Sequence, residues 1–92
     1  MEQSDINIGQ VVKSTQGRDK GKFFIVLDKV DKEYVLIVDG DIRKTDKPKK
    51  KKLKHLVKLS IISAETKDRI VSNKKITNAF IRRELERLGV NA

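Results

Sequence analysis

The chain has no cysteine, no tryptophan and a single histidine. A disulfide framework and a thiolate metal site are thereby excluded, and a zinc site lacks its usual ligands. A Ser-His-Asp arrangement would have to use His55, the single histidine, which sits in a cationic stretch. Aromatic residues are scarce: Phe23, Phe24, Tyr34 and Phe80. At least two of them lie in apolar runs and read as core, which leaves too few for a platform that stacks successive bases. Tyr34, at a strand start, reads as a core or rim residue that reaches one base at most. The longest apolar run, Phe23 to Leu27, falls far short of the roughly 20 residues a membrane span needs. The first ten residues carry neither a basic head nor an apolar run, so no signal peptide is predicted. No catalytic residue, metal or cofactor is implied. The expectation is a soluble, cytoplasmic, non-enzymatic protein, monomeric when free and without a membrane partner.

Acids are in the minority: 13 Asp and Glu against 22 Lys and Arg, a net charge of +9. The excess is local. Arg43 to Lys58 holds nine Lys/Arg and one acid, Asp46, while the rest of the chain holds thirteen and twelve. Charge needed only for solubility would not be concentrated in this way. A polyanion is the simplest partner, and lipid is its weakest form because the run has no amphipathic aromatic face.

Strand signals dominate the first two thirds. Ile8 to Ser14 and Lys22 to Val30 read as strands joined by a basic, glycine-punctuated loop whose bare N–H groups suit a phosphate backbone. Asp31-Lys32 reads as a tight turn, and Tyr34 to Val38 as a third strand rich in β-branched residues. Asp39-Gly40 is a hairpin signal that predicts a returning strand over Ile42 to Thr45. Lys47 to Lys52 then reads as an extended, mobile segment, because proline and mutual repulsion stretch it. A fifth strand is predicted around His55 to Ile61. The pattern is an antiparallel meander, and closing its edges gives a five-stranded SH3-like barrel. Met1 to Asn7, polar and acidic, is expected to fray.

Ala64 to Val71 is compatible with a short helix. The last segment is clearer. Thr77 is placed as an N-cap, with Ile76 and Ile81 as a hydrophobic staple. Ile81, Leu85 and Leu88 share one helical face, and Gly89 suits the helix end with Val90 packing back on Leu85. A helix over Asn78 to Leu88 is predicted, packed on the barrel or on a partner. The division is therefore a barrel over 1–61, including the basic segment 43–58, and a helical extension over 62–92.

Gly9, the pair Val11-Val12, Gly17, Lys20-Gly21 and the apolar strand after them together resemble the KOW motif of ribosomal proteins and transcription elongation factors. Tyr34-Val-Leu-Ile-Val-Asp-Gly40 and the lysine run extend the likeness to the small bacterial KOW-domain RNA-binding proteins. Those are related to KOW-type large-subunit ribosomal proteins of archaea and eukaryotes. The resemblance covers roughly Gly9 to Leu56, with a weaker echo over Thr77 to Leu85. It departs at Phe23-Phe24, where many KOW motifs place a further glycine. It implies a mainly β SH3-like KOW barrel with a C-terminal helix that binds RNA, often on the ribosome.

Two contact groups are predicted. The first is the loop: Lys13, Gln16, Gly17, Arg18, Lys20, Gly21 and Lys22. The second is the basic stretch: Arg43, Lys44, Lys47, Lys49, Lys50, Lys51, Lys52, Lys54 and His55. Lysine on phosphate positions a protein without reading bases, so recognition should rest on phosphates, sugars and helix shape and weaken steeply with salt. The blander alternatives are a solvated charge run or a localisation signal for Lys49 to Lys52, and a rim position for His55. Arg82, Arg83 and Arg87 read as solvated residues near a helix end or as a second RNA contact. A nucleotide phosphate loop is rejected: three residues lie between Gly17 and Gly21 rather than four, and Phe23 stands where a Ser or Thr should bind magnesium. Asp39, Asp41 and Asp46 are turn residues. The partner is read as RNA, foremost ribosomal RNA, with ribosomal protein contacts allowed. A KOW protein-interaction module acting on ribosomal protein or the transcription machinery remains the alternative.

Overall fold

A computed structural model describes residues 6–90. Five strands run in chain order: β1 (Gln10–Ser14), β2 (Phe23–Lys29), β3 (Tyr34–Val38), β4 (Lys49–Lys52) and β5 (Leu56–Ile62). A one-turn 3-10 helix, Leu53–His55, joins β4 to β5, and two helices follow: α1 (Ala64–Val71) and α2 (Asn78–Arg87). All pairings are antiparallel, in the order β4-β3-β2-β1-β5. The protein is mainly β, a small barrel-like sheet with helices at the C-terminal end, as the pattern predicts.

The apolar run of β2 is uninterrupted because its sheet is buried on both faces. Alternation splits it. Phe24 and Val26 join Ile6, Val12, Val35, Ile37 and Leu56 in one cluster. Ile25 joins Val11, Val38, Phe80, Ile81 and Leu85 in the other. The first cluster fills the inside of the sheet, and α2 covers the second. The register slips on β2 between Val26 and Asp28, and on β1 between Gln10 and Val12. Such bulges bend and twist a strand. Gln10 mends the second slip, its amide donating to the carbonyls of Leu59 (2.6 Å) and Ile61 (3.2 Å).

Helix α2 packs on the sheet. The Thr77 hydroxyl accepts from the Phe80 N–H at 3.1 Å, Ile81 and Leu85 are fully buried, and the Val90 N–H returns to the Leu85 carbonyl at 3.2 Å. Helix α1 starts on Ser63, whose hydroxyl accepts from the Thr66 N–H and also donates to Glu84 of α2 at 2.7 Å. Arg87 grips the same carboxylate at 2.8 Å. That guanidinium holds the Glu84 carboxyl below its usual range, against the opposing effect of burial and with help from Ser63.

Three expectations are corrected. Ile42 to Thr45 forms no strand. Asp39 spends its side chain on the amides of Asp41 (2.9 Å) and Arg43 (2.8 Å), and Asn78 takes the Thr45 amide at 2.8 Å. Two of the four amides of the expected strand, Arg43 and Thr45, are thus already taken. The lysine run supplies the fourth strand instead, pairing Tyr34 with Lys52, Val35 with Lys51, Leu36 with Lys50 and Ile37 with Lys49. Lysine tolerates an edge strand because its stem lies along the sheet while its charge reaches water. Lys47 to Lys52 is therefore not a mobile tether. Fraying of Met1 to Asn7 fails at Ile6, which is buried in the inner cluster; residues 1–5 lie outside the described residues.

Gly40 has a reason beyond its turn. It is buried with φ of 79°, and a Cβ there would collide with the Asn78 carbonyl and sit 3.0 Å from Arg82 Cγ. Arg82 Nη1 donates to its carbonyl at 2.6 Å. Gly40→Ala is expected to destabilise the fold by about 1–3 kcal/mol from backbone strain, and more where the helix must shift. Urea unfolding measures this; an unchanged midpoint would show that α2 does not rest on this turn.

Candidate nucleic-acid interface

The loop between β1 and β2 closes on itself. The Lys20 N–H bonds the Gly17 carbonyl (3.2 Å), the Gly21 N–H that of Ser14 (2.8 Å), and the Lys22 N–H that of Asp19 (2.9 Å). Those three amides are spent, so the expectation of bare N–H groups fails at Lys20, Gly21 and Lys22. What the loop presents outward is charge. Lys13, Arg18, Lys20 and Lys22 are exposed, as are Gln16, Gly17 and Gly21.

Two long-range ties carry this loop to the basic stretch. Arg43 makes a bidentate pair with Asp19, at 3.1–3.3 Å, and Asp19 is only 3% exposed. Lys51 Nζ donates to the Gln16 carbonyl at 2.8 Å. A backbone bond from the Thr15 N–H to the His55 carbonyl, 2.9 Å, adds a third link. The two predicted groups, far apart in sequence, are thus tied to each other at Thr15, Gln16 and Asp19.

Their members divide into two kinds. Lys44, Lys47, Lys50 and Lys54 are exposed, and Lys49, Lys52 and His55 are half-buried. Arg43 and Lys51 are different: the first is committed to Asp19, and the second is 8% exposed with its ammonium on the Gln16 carbonyl. Both are engaged within the protein and support the loop. For Lys51 the reason is register: it stands opposite Val35 and so points to the inner face, as Lys49 does opposite Ile37. Sequence reading missed Asp19. Its signal was slight: one acid in an otherwise basic loop.

The helix cations are largely committed as well. Arg82 serves Gly40, Arg87 serves Glu84, and Arg69 lies 4.1 Å from the Phe80 ring centre. A groove of about 730 Å³ between α1 and α2 is lined by three arginines and three glutamates, together with Ala64 and Phe80. Its charges balance, so it offers no polyanion site. Among the described residues, no group of three or more His, Asp or Glu could hold a metal ion. No described helix is long and apolar enough to cross a membrane. Set against known proteins, the chain matches no family model and no curated protein.

Proposed function

We propose that this protein binds structured RNA, ribosomal RNA foremost, as a cytoplasmic ribosome-associated or ribosome-assembly protein. The observation that carries the reading is the all-lysine strand β4, locked into the sheet and stitched to the glycine loop by Lys51 and the Arg43–Asp19 pair. A charge run kept only for solubility needs no fixed register, whereas this one is held in place beside a second cationic segment. Holding the stems in a strand reduces the side-chain entropy that each ammonium loses on meeting a phosphate. The KOW resemblance points to the same ligand class.

Phosphate contacts from Lys44, Lys47, Lys50, Lys52 and Lys54, joined by Arg18, Lys20 and Lys22, would orient the barrel on a folded RNA. Co-sedimentation with ribosomes tests this. The protein is expected to travel with the particles at low salt and to be released by nuclease or by raised salt. Retention on ribosomal protein or polymerase after nuclease would replace the RNA reading with the protein-interaction one.

A further inference from the structure

We infer that Tyr34 is a stacking platform for a single unpaired nucleobase, with Lys50 and Lys52 taking the phosphate beside it; this rests on the RNA-binding reading above. Register sets the site. On β3, Val35 and Ile37 turn inward and are buried, so Tyr34 and Leu36 face outward, half-buried. On β4, Lys52 stands opposite Tyr34 and Lys50 opposite Leu36, so both stems rise on the side of the ring. Lys50 Nζ lies 4.8 Å from the ring centre and Lys52 Nζ 5.8 Å.

The negative face of the ring attracts each ammonium. Two like charges beside one ring also repel each other, and an anion between them relieves that cost. Asp28 stands across Leu36 from Lys50, so the cationic ground lies on the β4 side. A ligand that offers a negative group and a flat aromatic face a few bonds apart satisfies all three side chains, and a nucleotide is that ligand. Heparin-like or polyphosphate chains satisfy the lysines alone.

Only one base can be served. Among the described residues the other lysine–ring pairing is Lys13 Nζ over the half-buried Phe23 ring, 5.6 Å, and it lies elsewhere. Ile25 pairs with Val38, which places Phe23 past the far end of β3 from Tyr34. The base must also be unstacked, because a paired base in a continuous helix presents no free face. The consequence is a preference for a bulge, loop or end over an unbroken duplex, which phosphate contacts alone would not give.

The chain holds one tyrosine and no tryptophan, so its intrinsic emission reports Tyr34 alone. Titration with a hairpin carrying an unpaired loop is expected to quench that emission, while a blunt duplex of equal length and inorganic polyphosphate bind without quenching it. Tyr34→Ala is expected to lose about tenfold in affinity for the hairpin at unchanged salt slope, and Tyr34→Phe to keep most of it. The wild-type emission needs no variant, so a folding defect in Tyr34→Ala cannot obscure the answer. Hairpin binding with unaltered emission, or equal quenching by the duplex, overturns the platform and leaves the RNA reading standing. Failure of every RNA to bind overturns both.

Discussion

Leu85→Asp is expected to unfold the protein or strip α2 from the sheet, the largest effect foreseen for any single substitution. Leu85 is fully buried among Val11, Ile25, Val38, Phe80 and Ile81. Deleting such a side chain costs about 2–5 kcal/mol, and a carboxylate in its place adds the cost of removing a charge from water. A domain of this size holds roughly 5–15 kcal/mol in all. Loss of far-UV helical signal and a collapsed urea midpoint are the readouts. RNA affinity should fall too, although no lysine is touched. Through Arg82 and Asn78, α2 braces Gly40 and Thr45, which lead into β4. Arg83→Asp, exposed on the same helix, is expected to stay within about 0.5 kcal/mol of wild type. If Leu85→Asp kept its midpoint and helix content, the packing assigned to α2 would be wrong.

Replacing Lys50, Lys52 and Lys54 together by glutamine is expected to give the largest loss of binding. Three phosphate contacts removed should flatten the logarithmic salt slope by at most about 2.1–2.7. At physiological salt that corresponds to a drop in affinity on the order of a hundredfold. The factor should be alike for hairpin, duplex and single strand, apart from what Tyr34 adds, because these contacts read no bases. Lys51→Ala should behave differently. Its ammonium already serves Gln16, so the slope should change by less than one contact while the loop loses its anchor. Gly17→Val, at φ of 80°, should likewise keep the slope and disturb the loop geometry. Binding measured at three salt concentrations separates the cases. An unaltered slope in the triple variant would return β4 to the status of solvated surface and favour a protein partner.

Local chemistry made part of this fold legible. The cap at Thr77 and the stripe at Ile81 and Leu85 depend on neighbours within a turn or two, so the last helix could be read from the chain. The strand runs of β2 and β3 were legible for the same reason. What escaped depended on distant partners. Asp39-Gly40 does turn the chain, but the Asp39 carboxylate takes the Arg43 amide of the expected strand, a choice the dipeptide alone does not reveal. Four successive lysines have low strand propensity and repel one another; only the open edge of β3 makes them a strand. Identical residues also conceal register, since a shift by one position would exchange the inward and outward sets without changing the sequence. Lys51 could not be told from Lys50 for that reason. The Asp19–Arg43 pair spans 24 positions, and neither residue marks the other.

Strand β4 is the outermost member of the sheet order, so one side of its backbone has no neighbouring strand among the described residues. An unpaired edge is a template on which another chain can add, the first step of aggregation. Each added copy would align its own row of ammonium groups against this one, and the repulsion opposes growth. The same lysines that would receive a phosphate chain therefore keep free copies apart. A polyanion weakens that protection as it binds. Short oligonucleotides at high protein concentration would remove the repulsion without masking the whole edge, whereas a large folded RNA would cover both. Colloidal behaviour, followed by light scattering, thus becomes a property of the ligand's length as much as of the protein.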